Sequence, residues 1–267
     1  MKISVLVNDS AKDGFIAVHG LSLYIETGGR NILFDMGPDD TFLKNAAVLG
    51  IDIADAGAAV ISHGHYDHGG GLEYFLKANQ SAPVYVSEGA FKKYYSASTG
   101  DLRYIGLKSP QDRRIVTDCG DNEMMIFRGI DKLMPPLSVN SVLFQEKDGK
   151  LIPDSFEHEQ FLIINEGGTY VLFGGCAHSG IVSIISSAAK IIGRAPDYVI
   201  SGFHLTAPGA GRDESSEAVS KIGACLREIK VKEYFTCHCT GEGPMSILKA
   251  ELGERLHGLR CGDVINI

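Results

Sequence analysis

The sequence predicts a layered α/β fold, of the mixed α+β kind, in which strands and helices alternate through two successive halves. Three observations carry this. Short apolar runs bounded by glycine or Asn-Asp turns recur along the chain, and stretches with apolar residues at helical spacing follow them. Hydrophobic residues make up 44% of the 267 positions, enough for one well-buried domain over 1–267, or a domain with insertions. Glycine fills 32 positions, well above the usual ~7%, which suits tight turns between short strands.

In order, Ile3 to Val7 reads as a strand ending at Asn8-Asp9. The runs His19–Thr27 and Asn31–Asp35 read as a β-hairpin across Gly28-Gly29. Phe42, Leu43, Ala46, Ala47 and Leu49 mark a short helix. The strand Ala58–Ile61 leads into a His-rich stretch, which the helical pattern Leu72, Phe75, Leu76 follows. Pro83–Val86 reads as a strand and Ser87 to Tyr95 as a helix. Over 96–114 the pattern weakens around Gly100, Gly106 and Pro110, as in a lid, an insertion or an ordinary surface excursion. Tyr94, Tyr95 and Tyr104 could wall a pocket or pack that stretch. The second half has a strand at Ser141–Gln145 and a hairpin of Phe161–Ile164 with Tyr170–Phe173. A helix at Ile181–Ile192, a strand at Tyr198–Ile200, an amphipathic helix through Ala218, Ile222, Cys225, Leu226 and Ile229, and a strand at Tyr234-Phe235 follow.

The stretch Ser62–Gly71 (SHGHYDHGGG) organises the chemistry. At a strand end, residues two apart point the same way, so His63 and His65 can close on one metal ion. The chain then turns into a helix, so Asp67 and His68 point elsewhere and can serve a second ion. Imidazole with carboxylate suits zinc, iron or manganese better than calcium. A surface loop that happens to be His-rich is the bland alternative, and four such side chains within six positions argue against it.

His63-Gly64-His65-Tyr66-Asp67-His68 resembles the H-x-H-x-D-H signature of the metallo-β-lactamase superfamily. The resemblance implies a four-layer αββα sandwich with a metal site at one end of its two sheets, and the two strand-then-helix halves agree with it. Further constellations sit at strand ends: Gly174–Gly180, Ser201–Leu205 and Cys237–Gly241, each with a histidine where a strand runs out. Together with His19-Gly20-Leu21-Ser22, they resemble the branch of dihydropterin–ribofuranosylaminobenzene-phosphate synthases over nearly the whole chain.

The resemblance carries ligands over residue by residue. His63 and His65 match the first-ion ligands, Asp67 and His68 the second-ion pair, and His238 the late His of the second site. The bridging Asp of the superfamily is replaced by Cys176, which is either a thiolate ligand or a small buried residue. The middle His is His178, from the motif of the branch, or His158, whose other reading is a surface residue in an acidic turn. His204 is expected to contact substrate as a hydrogen-bond donor to a phosphate or oxyanion, or simply to satisfy loop carbonyls. Cys237 and Cys239 read as packing.

Bulk properties limit partners. A net charge of −8 argues against broad nucleic-acid binding and against an anionic membrane surface. No apolar run approaches ~18 residues, and the start is strand-like rather than a signal peptide. The six cysteines are scattered without a disulfide framework, so a reduced cytoplasm is the expected home. The expected partner is a small molecule, phosphorylated or a pterin; a homo-oligomer is compatible with the sequence.

The expected activity is a metal-dependent hydrolase with two divalent ions, zinc first and iron or manganese as alternatives, that activate water towards a phosphoester or ester-like bond. Asp67 would hold the second ion and orient the nucleophile. The alternative is a transferase joining a pterin to an arylamine phosphate. Two other classes compete: Cys176 as nucleophile with His178 as base, and a non-catalytic binding module on the same fold.

Overall fold

The computed structural model describes residues 1–118, 120–121 and 123–267. Two sheets face each other. The first has seven strands in the order Val264–Asn266, Lys2–Val7, Ser22–Glu26, Asn31–Phe34, Ala58–Val60, Val84–Tyr85, Ile115–Val116. The second has six, in the order Leu256–Gly258, Glu233–Thr236, Tyr198–Ser201, Thr169–Phe173, Phe161–Glu166, Met124–Phe127.

Alternation along the strands explains the layering. In Phe161–Glu166, Leu162 and Ile164 pack with Ile3, Val5, Phe34 and Val60 of the other sheet, while Phe161 and Ile163 pack outward against the Ile181–Ile192 helix. Successive side chains of a strand point to opposite faces, and both faces here are apolar because both are covered. The outer face of the first sheet, with Leu6, Leu33 and Ala59, is covered by Phe42 and Ala46 of the Thr41–Val48 helix and by Leu72 and Phe75 of the Leu72–Ala78 helix. The outer face of the second is covered by the helices Ile181–Ile192, Ser216–Glu228 and Glu242–Leu252. The result is the expected αββα sandwich. Among the described residues no helix is long and apolar enough to cross a membrane.

The parallel pairings decide where function can lie. Asn31–Phe34, Ala58–Val60 and Val84–Tyr85 run parallel, as do Thr169–Phe173, Tyr198–Ser201 and Glu233–Thr236. The segments that follow each set of strands therefore leave from one edge of each sheet, and those edges meet.

Some local expectations need correction. Residues Ser87–Tyr95 are not helical: Tyr94–Ser96 is a strand paired with Leu143–Gln145. The Tyr94 hydroxyl donates to the Gly89 carbonyl at 2.7 Å, folding the preceding segment into turns. The 96–114 stretch contains a second short strand, Arg103–Tyr104, antiparallel to Tyr95-Ser96. These belong to a separate four-stranded sheet with Leu143–Lys147 and Lys150–Pro153. The strand expected at Ser141–Gln145 starts two residues later, after a short 3-10 turn at Ser138–Val142.

Candidate metal centre

The strand Ala58–Val60 delivers Ser62, His63 and His65 to the meeting edge, and a single helical turn, Tyr66–Gly69, then rotates Asp67 and His68 to the other side. From the second sheet, Cys176 and His178 follow Thr169–Phe173, His204 follows Tyr198–Ser201, and His238 follows Glu233–Thr236. Gly175 makes this convergence possible, because a Cβ there would collide with the Ser62 hydroxyl. Asp35, Ala177, His204 and His238 all have left-handed backbone (φ 57°, 60°, 45° and 51°), a conformation uncommon for residues other than glycine, and four of the six such residues among those described lie at this site.

Among the described residues the donor atoms gather in five groups; His65 falls in one with Asp154 and His158, and two that share Cys176 hold the other histidines of the opening motif. Asp67, His68, Cys176 and His238 each bring one donor within 4.8 Å of the others, and His63, Cys176 and His178 do the same. Cys176 is common to both, with its Sγ 3.1 Å from His68 Nε2. The His65 ring lies 4.6 Å from that of His63 and 5.1 Å from that of His178, and its Nε2 is 3.7 Å from Asp154 Oδ2.

Hydrogen bonds fix which ring nitrogens are free. The Ser62 hydroxyl donates to Asp35 Oδ2 at 2.7 Å, so it accepts from His63 Nδ1 at 2.9 Å, leaving a lone pair on Nε2. His68 Nδ1 donates to Asp35 Oδ2 at 2.7 Å, and His238 Nδ1 to Asp9 Oδ1 at 2.7 Å. His178 Nδ1 faces Asn140 Oδ1 at 3.3 Å, while the Asn140 amide donates to the His178 carbonyl at 2.9 Å. The Nε2 atoms of His63, His65 and His178, and both ring nitrogens of His204, are buried without a partner. Buried polar atoms of this kind need an explanation, and a bound cation supplies one.

The two candidates for the middle histidine differ in their hydrogen bonds, and His158, which groups with His65 and Asp154, is buried rather than a surface residue of an acidic turn. His158 Nδ1 accepts from the Gly64 N–H at 2.9 Å, and its Nε2 donates to Asp154 Oδ2 at 3.1 Å. Both of its nitrogens are committed, whereas His178 keeps Nε2 free beside Cys176.

Charge is distributed unevenly. Burial works against ionising Asp67, but His68 and His238 outweigh it and hold the carboxyl well below the usual range. Burial likewise opposes a proton on His68, yet Asp35 and Asp67 raise its pKa; His238, beside Cys239, Asp67 and Asp9, is raised further. Burial and neighbouring imidazoles hold His63 and His178 well below the ordinary histidine value. Burial pushes Glu159 up to about 7 against the pull of the Ser179 and His178 groups it binds, and it accepts the backbone N–H of each at 2.9 and 2.7 Å.

Several of these residues were not singled out from sequence: Asp9, Asp35, Asn140, Asp154 and Glu159 all orient histidines or their loop. His19, known before only as part of a motif, packs its ring 4.5 Å from that of His238. Cys239, expected to be packing, is buried and also shares a donor cluster with Cys176 and His204, while Cys237 packs in the inter-sheet core. The centre forms the floor of a cavity of about 350 Å³ whose apolar wall includes Ile105, Val139, Val142 and Leu143.

The sequence model of the Metallo-beta-lactamase superfamily matches residues 16–238. The chain belongs to this superfamily. It is 28% identical, over 99% of its length and 96% of the relative's, to a protein of Methanocaldococcus jannaschii named 7,8-dihydropterin-6-methyl-4-(beta-D-ribofuranosyl)-aminobenzene-5'-phosphate synthase. The crystal structure of Tm1679, described as a metal-dependent hydrolase of the beta-lactamase superfamily, superposes with a TM-score of 0.84 at 30% identity, covering 100% of this chain and 99% of that one. Zn(2+)-bound PqqB from Methylobacterium extorquens shares the fold at a TM-score of 0.59 and 13% identity, with full coverage of both (100% each). As a metallo-β-lactamase-fold chain it carries a His/Asp/Cys donor set of the type divalent cations take.

Proposed function

We propose that this chain is a metal-dependent hydrolase that cleaves a phosphoester or other ester-like bond of a small molecule, using two divalent cations, zinc in the first instance. One observation carries the reading: unpartnered buried imidazole nitrogens converge with a carboxylate and a cysteine at the floor of an open cavity. His63, His65 and His178 would hold one cation, Asp67, His68 and His238 the other, with Cys176 belonging to both sets. Cations bound there lower the pKa of water and stabilise charge developing on a phosphoryl or carbonyl oxygen.

The chain's own residues prepare that chemistry. Ser62 and Asn140 fix the His63 and His178 tautomers so that lone pairs face inward. Asp67, which His68 and His238 keep ionised at neutral pH, would accept a hydrogen bond from the attacking water and so orient it. Ile105, Val139, Val142 and Leu143 give the substrate body a water-excluding wall. A second reading is favoured by the name of the M. jannaschii relative: a transferase joining a pterin to an arylamine phosphate at the same floor.

Elemental analysis of the untreated protein, followed by turnover of phosphoesters, lactones and pterins before and after chelation, tests the reading. Metal content near two equivalents and chelator-sensitive release of product by water support the hydrolase. Consumption of an arylamine phosphate would select the transferase. Activity that survives chelation but not thiol alkylation would overturn both in favour of Cys176 as a nucleophile.

A further inference from the structure

We propose that Cys176, His204 and Cys239 form a third, sulfur-rich cation position beside the two described, selective for thiophilic divalent ions of the zinc type. The three donor atoms lie within 4.8 Å of one another, and all three residues are buried. His204 is 9% exposed, and neither of its ring nitrogens has a hydrogen-bond partner among the described residues. A buried neutral imidazole has one donor and one acceptor nitrogen to satisfy, and a bound cation would satisfy the acceptor. The ring is nevertheless held in place: its backbone is left-handed at φ 45°, and it lies 4.0 Å from the His178 ring.

The sulfurs are placed with equal specificity. Cys239 sits in the turn after the Glu233–Thr236 strand, and its Sγ lies 3.7 Å from the Cys176 carbonyl and beside the Cys176 and His204 side chains, with which it interacts. Gly202, two residues before His204, lets that sulfur in: a Cβ on Gly202 would come within 2.8 Å of Cys239 Sγ. Two thiolates and an imidazole are the ligands zinc-type ions take with an open fourth position, and this position opens on the cavity that all three residues line. His204 is thus a ligand to a cation rather than the hydrogen-bond donor to substrate expected from sequence. Sharing Cys176 makes the thiolate a bridge, so ions at neighbouring positions bind interdependently.

The position rests on the two-cation reading only through Cys176, and the experiment keeps the two apart. Zinc per chain is measured after equilibrium dialysis of the intact protein and of Cys239→Ser, His204→Ala and His65→Ala, with cobalt replacement to read thiolate-to-metal charge-transfer absorbance. Circular dichroism confirms folding, and His204→Ala serves if Cys239→Ser misfolds. The expected result is loss of about one equivalent in Cys239→Ser and in His204→Ala, and roughly halved charge-transfer absorbance in Cys239→Ser. His65→Ala should lose a different equivalent and with it only the part of the sulfur signal that Cys176 gives that cation, leaving the Cys239 contribution intact. Wild-type stoichiometry in both Cys239→Ser and His204→Ala overturns the third position. Wild-type stoichiometry in His65→Ala instead overturns the two-cation reading and leaves the sulfur position standing.

Discussion

The two flanks of the centre hold their histidines by different means. On the Asp67 flank, the outer nitrogens of His68 and His238 are backed by carboxylates, Asp35 and Asp9, at 2.7 Å each. On the other flank, the outer nitrogens of His63 and His178 are backed by neutral groups, a serine hydroxyl and an asparagine carbonyl, at 2.9 and 3.3 Å. Carboxylate backing makes a ring more basic and a stronger ligand, but it also makes the empty ring hold a proton. Neutral backing leaves the ring unprotonated and ready, with weaker support. On the proposed two-cation reading, one flank would exchange protons for a cation and the other would take a cation without that exchange.

The largest expected effect tests whether the flanks are joined. Cys176→Ala removes the one donor common to both sets, and metal analysis should show losses on both flanks rather than one. Loss confined to a single equivalent would mean that the sulfur serves one flank only. Next comes the backing itself. Asp35→Asn should cost ~10–100-fold in metal affinity, the usual effect of losing a carboxylate behind a ligand, whereas Asn140→Ala should cost less than about tenfold. Equal losses, read by competition with a chelator, would erase the distinction between carboxylate and neutral support.

A smaller effect concerns pH in the metal-free chain. His68 and His238 have raised pKa values in the fold, so their stabilising contribution is full below the ordinary value of 6.5 and is lost as pH rises through the folded values. His63 and His178 have lowered values, so their contribution is full above 6.5 and is lost as pH falls towards the folded values. The four together place their maximum near pH 6.5, with the alkaline limb belonging to the carboxylate-backed flank. Urea melts of chelated protein across this range should show that limb flattened in Asp35→Asn; an unchanged limb would assign it elsewhere. The smallest effect is expected from His158→Gln. Both nitrogens of His158 are already engaged, so metal content should stay at the wild-type level while the loop at Gly64 loosens. Loss of an equivalent would return His158 to the ligand set in place of His178.

The part of this site that lies close in sequence was legible before any coordinates. Three imidazoles and a carboxylate between His63 and His68 announce themselves by spacing, and a histidine at the end of each later strand is visible once the strands are. The backing groups were not legible. Asp9 and Asp35 look like ordinary turn formers at strand ends, and only the meeting of sheet edges turns them inward. Cys239 gave no signal because the residues it meets, Gly202 among them, follow a different strand. The same limit applied to the fold. The Ile181–Ile192 helix was read to the residue from its apolar face, whereas Ser87–Tyr95 has helical composition but is claimed by pairing with Leu143–Gln145. The Glu242–Leu252 helix was not read, although Met245, Leu248 and Leu252 recur at helical spacing and its proline falls in the first turn, where a helix tolerates one.

The left-handed backbone at Asp35, Ala177, His204 and His238 has a consequence for how the molecule breathes. Such residues cost about 1–3 kcal/mol each, and their cost is concentrated at one rim, while the sheets behind them carry none of it. Amide protons around these four residues should therefore exchange with deuterium sooner than those of the strands that carry them. Occupancy by cations should slow that exchange at the rim and leave the interior of the sandwich untouched.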